Sequence, residues 1–212
     1  TASSYTIGNT GGSVTLYPSA SRPRYANYTS GSNTRDGSDS ATPSLSTNGT
    51  SGFSLSGTTL RASENTSTSS RSIRVFANYD GVFDYVDITQ GGASVSYNYY
   101  FHWNGAGASE SIHHAASGDT LSKTFISYKK KVINGSETSD TYDVGVSLSG
   151  TPSWSSVTVS GKTVSSKASE NIEESSRSAT VTVTQSESGK KLTLDITQNA
   201  ATITYEYVFK LA

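Results

Sequence analysis

The sequence predicts an all-β protein of two tandem immunoglobulin-like β-sandwich domains. Short segments alternate apolar and polar residues with a period of two, Gly-, Ser- and Asn-rich stretches separate them, and a long part of the chain is repeated. Two sandwiches of about a hundred residues each fit the length of 212 residues. No stretch longer than a turn has helical periodicity, so the prediction contains no helix.

The composition is typical of packed domains and excludes several classes of protein. Hydrophobic residues make up only 33% of the chain, but 13 Tyr, 6 Phe and 2 Trp argue against a disordered polymer. Sixteen basic residues nearly balance seventeen acidic ones, so nucleic acid is not an expected partner. No apolar run is long enough to span a membrane, and the absence of Cys excludes disulfides and thiol chemistry.

The opening residues 1–5 lack the basic start and apolar stretch of a signal peptide. A signal peptide is expected to be missing here if it was removed, if the sequence starts late, or if the protein is made in a cytosol, where Thr1 would follow an excised initiator Met.

An internal repeat organises the chain. Three motifs occur twice in the same order: Ala-Ser-Glu-Asn at 62–65 and 168–171, Ser-Ser-Arg-Ser at 69–72 and 175–178, and Asp-Ile-Thr-Gln at 87–90 and 195–198. A Tyr-rich segment follows each copy, at 93–101 and 201–209. Because the sequence ends on this segment, we assign it to the end of each domain, which gives domains over 1–104 and 105–212. In the alternative, the segment opens a following domain and 201–212 begins a further repeat.

Strands are clearest in the second copy. Residues 179–184 and 192–197 alternate apolar with polar side chains, and the Gly-containing stretch 186–190 between them is typical of a hairpin turn. The first copy repeats this hairpin around Asp80 and Gly81. Three polar stretches, 30–39, 104–107 and 134–139, are predicted to be loops.

The first copy carries three aromatic residues where the second has polar, outward-facing ones: Phe76, Phe83 and Tyr85 in place of Thr182, Lys191 and Thr193. An aromatic cluster on a solvated face needs a partner. We expect this partner to be the other domain or an unrecognised strand, another protein of an assembly, or a sugar that stacks on the rings. Asp84 falls on the inward face in this alignment, which we attribute to a β-bulge near the turn.

The Tyr-rich segment supplies two further candidate contacts. Tyr100 and His102 point away from the face that carries Trp103. With Phe76, Phe83 and Tyr85 they complete the candidate residues for contact with a protein or a glycan. Both tryptophans are predicted to lie in the core, Trp103 aligned with Leu211 and Trp154 aligned with Leu45.

No arrangement typical of catalysis or metal binding is found. His113 and His114 are adjacent, so on a strand they would face opposite sides and could not bind one ion, and we predict them to be loop residues. The spacing of Asp80, Asp84 and Asp87 does not fit a calcium loop, and neither a nucleophile elbow nor a phosphate-binding glycine loop occurs. The sequence therefore predicts a protein that is not an enzyme and that holds no metal or cofactor.

The repeat ending resembles a known family. Residues 177–183, followed by a Gly turn and by 194–198, are similar to the end of a BACON domain, and 71–75 with 88–90 repeat this ending in the first copy. Trp154 resembles the Trp that is common early in that domain. BACON domains are immunoglobulin-like sandwiches of Bacteroidetes surface proteins and of their phages, including crAss-like phages. The resemblance implies a binding or spacer module and not an enzyme.

These features predict a surface-displayed structural and adhesive module. The first setting is the surface of a phage virion, as a capsid decoration or a head or tail fibre that touches host or mucosal glycans. The alternative is a secreted or cell-surface Bacteroidetes protein, either a carbohydrate-binding accessory module or a fimbrial or adhesin subunit whose terminal strand, 201–211, completes a neighbouring sheet. A third option is a passive spacer. The expected partners are other virion or surface proteins, glycans and further copies of the chain.

Overall fold

The computed structural model describes residues 4–27, 31, 33–105 and 107–210. Over these residues the protein has eighteen strands and no helix, which confirms the predicted all-β class. The chain forms two compact units. Unit 1 comprises Thr1–Ser96 with Val132–Ser136, and unit 2 comprises Tyr97–Lys131 with Glu137–Ala212.

Unit 1 contains nine strands: β1 (Tyr5–Ile7), β2 (Gly12–Thr15), β3 (Ala20–Asn27), β4 (Asn33–Ala41), β5 (Ser44–Thr47), β6 (Phe53–Ser56), β7 (Thr59–Ala62), β8 (Arg71–Tyr79) and β9 (Val82–Gln90). One sheet has the order β1-β9-β8-β5, a second has the order β2-β7-β6, and β3 pairs with β4. β1 runs parallel to β9. The buried core includes Leu16, Leu60, Ile73, Val75 and Ile88.

Unit 2 contains the other nine: β10 (Val95–Trp103), β11 (Ser109–His114), β12 (Thr120–Ile133), β13 (Ser136–Asp143), β14 (Val146–Ser149), β15 (Ser155–Ser160), β16 (Thr163–Ala168), β17 (Arg177–Gln185) and β18 (Lys191–Gln198). One sheet has the order β10-β12-β16-β15, with β13 also on β12, and the other has the order β11-β18-β17-β14. This is the strand arrangement of an immunoglobulin-like sandwich, whose first strand lies at one edge of its sheet.

Strand β10 belongs to unit 2, whereas the sequence assigned it to the end of the first domain at residue 104. It pairs with β12, and Trp103 at its end is fully buried in the second core, as predicted for this residue. The units therefore divide between Ser96 and Tyr97. This division agrees with the alternative in which the Tyr-rich segment opens a following domain.

The two repeated hairpins have the predicted inward faces. Val75 in β8 and Val181 in β17 are buried, and both hairpins start from an Arg opposite a Gln. The register of β8 and β9 runs without a shift to the turn, so the bulge expected near Asp84 is wrong for this fully described hairpin. Asp80 (φ 52°) and Gly81 (φ 81°) form a two-residue turn of the kind that matches strand twist.

Two predicted loops are strands. β4 covers most of 30–39, and β13 covers most of 134–139. Each is the second strand of a hairpin, with β3 and with β12 respectively. The described side chains of β4 and β13 are mostly exposed, so these strands lack the apolar alternation by which a strand is recognised.

Trp154 packs at the margin of the second core and corresponds to Gly52, not to Leu45. Its carbonyl accepts a hydrogen bond from the Ser169 N–H (3.0 Å), as the Gly52 carbonyl does from Ser63 (2.9 Å). The side chain of Trp154 is only partly buried, whereas the sequence predicted a core residue.

A polar network is duplicated at one end of each sandwich and accounts for the repeated motifs. Arg177 donates from Nε to Oε1 of Gln198 (2.8 Å) and from Nη2 to the Ser169 carbonyl (3.0 Å). Unit 1 repeats these contacts with Arg71, Gln90 and Ser63, at 2.8 and 2.9 Å. The glutamines of both units are buried, so the sequence identity between the copies lies in side chains that satisfy buried polar groups.

Candidate binding groove

Unit 1 contains an open groove with a volume of about 730 Å³. Apolar residues of the core line it: Leu16, Leu45, Val75 and Val86. Aromatic residues lie along it as well: Tyr5, Tyr17, Tyr79, Phe83 and Tyr85. This size and this lining are typical of a site that binds an apolar group.

Strand β10 fills the corresponding space in unit 2. Trp103 packs edge-on against Phe125 with ring centroids 6.2 Å apart, and its Nε1 donates to the Thr193 carbonyl at 3.0 Å. The counterparts of Phe125 and Thr193 in unit 1 are Leu16 and Tyr85, and both line the groove. The unit 1 groove therefore occupies the position that a strand and its side chains occupy in unit 2.

This equivalence rests on shared hydrogen bonds and on strand register. The Leu16 N–H donates to the Thr58 carbonyl in the β6–β7 turn, and the Phe125 N–H donates to the Lys162 carbonyl in the β15–β16 turn. The β15–β16 hairpin has six residue pairs and the β6–β7 hairpin has four, so residues close to these turns are matched by counting from the turn. The β8–β9 and β17–β18 hairpins have the same register from the repeated Arg and Gln onward, so Tyr85 corresponds to Thr193.

The predicted contact residues Phe76, Phe83 and Tyr85 lie together on the outer face of the β8–β9 hairpin, and Phe83 and Tyr85 also border the groove. Phe76 is opposite Tyr85, with ring centroids 6.4 Å apart. The Arg74 guanidinium lies 3.9 Å from the centroid of the Tyr85 ring. Phe83 is 65% exposed. The ring of Phe83 is therefore the most accessible of the three.

Arg74 is held in place by a two-point ion pair with Asp87, at 2.7 and 2.8 Å. These hydrogen bonds lower the pKa of the Asp87 carboxyl and raise the pKa of Arg74. The pair fixes a cation over one face of Tyr85 and leaves polar groups beside the aromatic cluster.

Tyr100 and His102 belong to unit 2. Tyr100 stacks on Tyr128 with centroids 4.7 Å apart, and its hydroxyl donates to Glu137 at 2.6 Å, which raises the pKa of Tyr100. Nδ1 of His102 lies 2.9 Å from the carbonyl of Trp103. The five predicted contact residues are thus divided between the units, three on β8 and β9 and two on β10.

Unit 2 also contains a buried polar chain that the sequence did not reveal. His114, predicted to be a loop residue, ends β11 and is buried, which corrects that prediction. Its Nδ1 is hydrogen-bonded to Asp119 and its Nε2 lies 2.8 Å from Oγ of Ser166. Oγ of Ser166 is in turn 2.7 Å from Oγ of Ser155.

The order Asp119, His114, Ser166 is that of a serine-hydrolase triad. The exposed fraction of Ser166 is 0%, so a substrate has no access to its hydroxyl. A nucleophile must reach the reacting atom before its activation matters. The chain of hydrogen bonds therefore acts as a buried structural network in this conformation.

Sequence reasoning missed the groove because its near wall comes from residues 16–23. This part of the first copy aligns poorly with the second, so no comparison pointed to it. Within the described ranges, no three His, Asp or Glu side chains converge on a metal site. In the same part of the chain no helix is long and apolar enough to cross a membrane.

No protein-family model and no curated protein matches the chain. Among solved structures, it is similar to a protein from Bacteroides vulgatus ATCC 8482, with 30% identity, 51% of this chain and 93% of that chain covered, and a TM-score of 0.38. It is also similar to the titin domains Z1Z2 solved in complex with telethonin, with 12% identity, coverage of 94% and 93%, and a TM-score of 0.38.

A third similar structure is an endo-fucoidan hydrolase of glycoside hydrolase family 107, MfFcnA4 H294Q, with 13% identity and a TM-score of 0.31. The similarity covers 76% of this chain but only 24% of the hydrolase. These likenesses assign neither a family nor an activity. The strand order of unit 2 is immunoglobulin-like, and the link to BACON domains stays a prediction.

Proposed function

We propose that this chain is a non-enzymatic structural and adhesive module of a surface assembly and that it binds a protein partner through the unit 1 groove. One observation carries the proposal: unit 1 leaves open an apolar position that unit 2 fills with strand β10. An apolar groove in water favours a partner that covers it. Addition of a strand to a sheet edge is a common way for such a position to be filled by another protein.

The setting that we propose is the surface of a phage virion, as a capsid decoration or a fibre component. The resemblance of the repeat endings to BACON domains supports this setting. The same resemblance supports the alternative, a secreted or cell-surface Bacteroidetes protein that acts as a fimbrial or adhesin subunit.

A glycan is the second candidate ligand, on the outer face of β8 and β9. Phe83 is exposed there, and the Arg74–Asp87 ion pair places polar groups close to the aromatic cluster. Sugar sites combine an aromatic surface with a few orienting polar groups, which favours this face over other parts of the described surface.

Light scattering on the isolated chain, before and after addition of mixed glycans, tests these functions. We expect a concentration-dependent assembly. The groove variant Ala77→Phe should reduce assembly, because Ala77 lines the groove. Asn78→Phe, on the opposite face of β8, is the matched control and should assemble normally. A monomer that binds glycans would favour the accessory-module function, and a monomer that binds none would overturn both proposals in favour of a spacer.

A further inference from the structure

The C-terminal segment, residues 201–210, repeats the sequence of β10 without its structure. Val95, Tyr97, Tyr99 and Phe101 of β10 recur as Ile203, Tyr205, Tyr207 and Phe209. The described residues 201–210 form no strand, and the exposed fractions of Tyr205, Tyr207 and Phe209 are 75%, 80% and 92%. Leu211, which aligns with Trp103, lies outside the described residues. The segment has the sequence of a strand, but its aromatic side chains are exposed to water. Such a segment favours a sheet on which these side chains can pack.

Strand β10 shows what surroundings such a segment requires. It pairs with β12, and its side chains Phe101 and Trp103 pack on the second core. Tyr99 lies against the β17–β18 turn, where its hydroxyl donates to Glu187 (3.1 Å) and its carbonyl accepts a hydrogen bond from Nζ of Lys190 (2.6 Å). The segment therefore needs a free strand edge, an apolar groove and a hairpin turn at one end of that groove.

Unit 1 offers the same three features. Leu16 and Tyr85, the counterparts of the residues around Trp103, line the groove, and so do Tyr79 and Asp80 of the β8–β9 turn. The Asn104 N–H donates to the Thr124 carbonyl and Tyr100 stacks on Tyr128, so β10 lies along the half of β12 that follows Thr124. The counterpart of that half in unit 1 starts at Leu16 and continues into β3. In the part of the chain that the structure describes, β3 has β4 on one side, as β12 has β13, and no strand on its other side. The first unit is thus an acceptor for a β10-like strand.

We propose that the C-terminal segment of one copy of this chain docks in the unit 1 groove of a second copy as its edge strand. This inference rests on the proposed function, in which the groove binds a protein, and it names that protein as another copy. The main chain of the segment pairs with the free edge of β3, and the alternate residues Tyr207 and Phe209 enter the groove.

The contact joins two different surfaces of the same chain, with the donor in unit 2 and the acceptor in unit 1. Such a contact repeats from copy to copy. It produces a ring if the rotation closes and a filament if it does not. The inference therefore specifies head-to-tail assembly.

Substitutions in the segment test the donor. Phe209→Ser changes a residue on the face that enters the groove, and Val208→Ser changes its neighbour on the other face, 77% exposed in the monomer. We expect sedimentation velocity to show assembly that is weaker by about tenfold or more for Phe209→Ser, because a buried aromatic anchor is lost. Val208→Ser should assemble within about threefold of the unchanged chain. Since both residues are exposed, neither change should unfold the protein.

A mixing experiment tests the pairing of donor and acceptor. One chain lacks residues 201–212 and keeps only the acceptor, and the other carries Ala77→Phe and keeps only the donor. Each should be monomeric alone, and an equimolar mixture should give a one-to-one dimer and nothing larger in native mass spectrometry. A chain without 201–212 that assembles like the unchanged chain would overturn the inference.

The failure of this inference differs from the failure of the proposed function. If Ala77→Phe prevents assembly but deletion of 201–212 does not, the groove binds a different segment, and only the identity of the occupant is wrong. If neither change affects assembly, the groove has no role in it, and both proposals fail. If the unchanged chain stays monomeric at all concentrations, head-to-tail assembly is excluded.

Discussion

Nε2 of His114 lies 2.8 Å from Oγ of Ser166 in unit 2, whereas unit 1 has Ile7 and Leu60 at the corresponding positions of its apolar core. Ile7 and His114 each lie opposite the Gln that ends a repeat. Leu60 and Ser166 each lie three residues before the Ser whose N–H donates to the Gly52 or the Trp154 carbonyl, which establishes the second equivalence. One sandwich design thus accepts either a buried polar chain or apolar packing at the same point. The polar version is stable only while each partner is present.

Removal of the imidazole should destabilise unit 2. His114→Ala leaves the buried Ser166 hydroxyl without its partner on one side, so we expect a loss of about 1–3 kcal/mol in the free energy of unfolding. His113→Ala is the control on the same strand, because His113 is exposed, and it should change stability by less than about 0.5 kcal/mol. Chemical denaturation followed by tryptophan fluorescence measures both.

Restoration of the unit 1 residues should recover stability. The double variant His114→Ile with Ser166→Leu, made in a Ser155→Ala background so that no buried hydroxyl loses its partner, replaces the buried polar groups with apolar ones. Such replacements are often close to neutral. We expect it to be more stable than either single variant. Additive losses in a double-mutant cycle would show that the two positions are not coupled.

The triad-like order of Asp119, His114 and Ser166 should give no serine reactivity. Because Ser166 is fully buried, a fluorophosphonate probe should not label it in the folded protein. Chymotrypsin provides the positive control, and Ser166→Ala gives the background. Labelling of the unchanged chain that disappears in Ser166→Ala would mean that the core opens to substrates and would reopen the question of enzymatic activity.

The sequence predicted the strands that alternate and missed those that do not. β17 and β18 bury every second residue, and their period of two was visible. β4 and β13 are largely exposed hairpin strands with polar residues on both faces, so no periodicity marked them. The alternation of apolar and polar residues comes from burial of one face of a strand, so a strand that is exposed on both faces does not show it.

The candidate site was predicted only in part, and for a similar reason. Comparison of the copies detected Phe76, Phe83 and Tyr85 because unit 2 has polar residues at the aligned positions. The groove beside them arises from a strand that unit 1 lacks among its described residues, and an alignment of residues gives no direct sign of an unfilled position. The domain boundary was misplaced because β10 follows the first repeat in the chain but pairs in the second sheet.

The duplicated arginines should stabilise their own units. Arg177→Ala leaves Oε1 of the buried Gln198 without its donor, and we expect a loss of about 1–3 kcal/mol in unit 2. Arg177→Lys should not restore this stability, because an ammonium group cannot donate in the forked geometry that reaches both Gln198 and the Ser169 carbonyl. Hydrogen exchange should show faster exchange in β18 and unchanged exchange in β9. Faster exchange in both units would contradict a local role.

Acid should weaken unit 2 through its paired carboxylates. The hydrogen bond from Lys129 lowers the pKa of Glu187 below the ordinary value of 4.5. A carboxylate with a lowered pKa stabilises the folded state above pH 4.5, and this contribution is lost as the pH falls through the lowered value. Glu187→Gln should therefore make the denaturation midpoint less dependent on pH in this acidic range.

At high pH the Lys129–Glu187 pair should lose its stabilising effect as the pH rises. Glu187 raises the pKa of Lys129 above 10.5, so the contribution of this cation is present below pH 10.5 and is lost as the pH rises through the raised value. Exposed Glu174, changed to Gln, is the control for the loss of one negative charge. An equal effect of Glu174→Gln would mean that net charge, and not the Lys129–Glu187 pair, determines the pH dependence.

The outer aromatic cluster should separate binding from folding. Phe83 is 65% exposed, so Phe83→Ser should change the free energy of unfolding by less than about 0.5 kcal/mol. Tyr85→Ser should destabilise unit 1 more, because the ring contacts Phe76 and lies under the Arg74 guanidinium. Thermal unfolding of each variant should be measured together with assembly and glycan binding. Reduced glycan binding by Phe83→Ser with normal assembly would assign the outer face to sugars, whereas unchanged binding, assembly and thermal stability in both variants would exclude any role of this cluster.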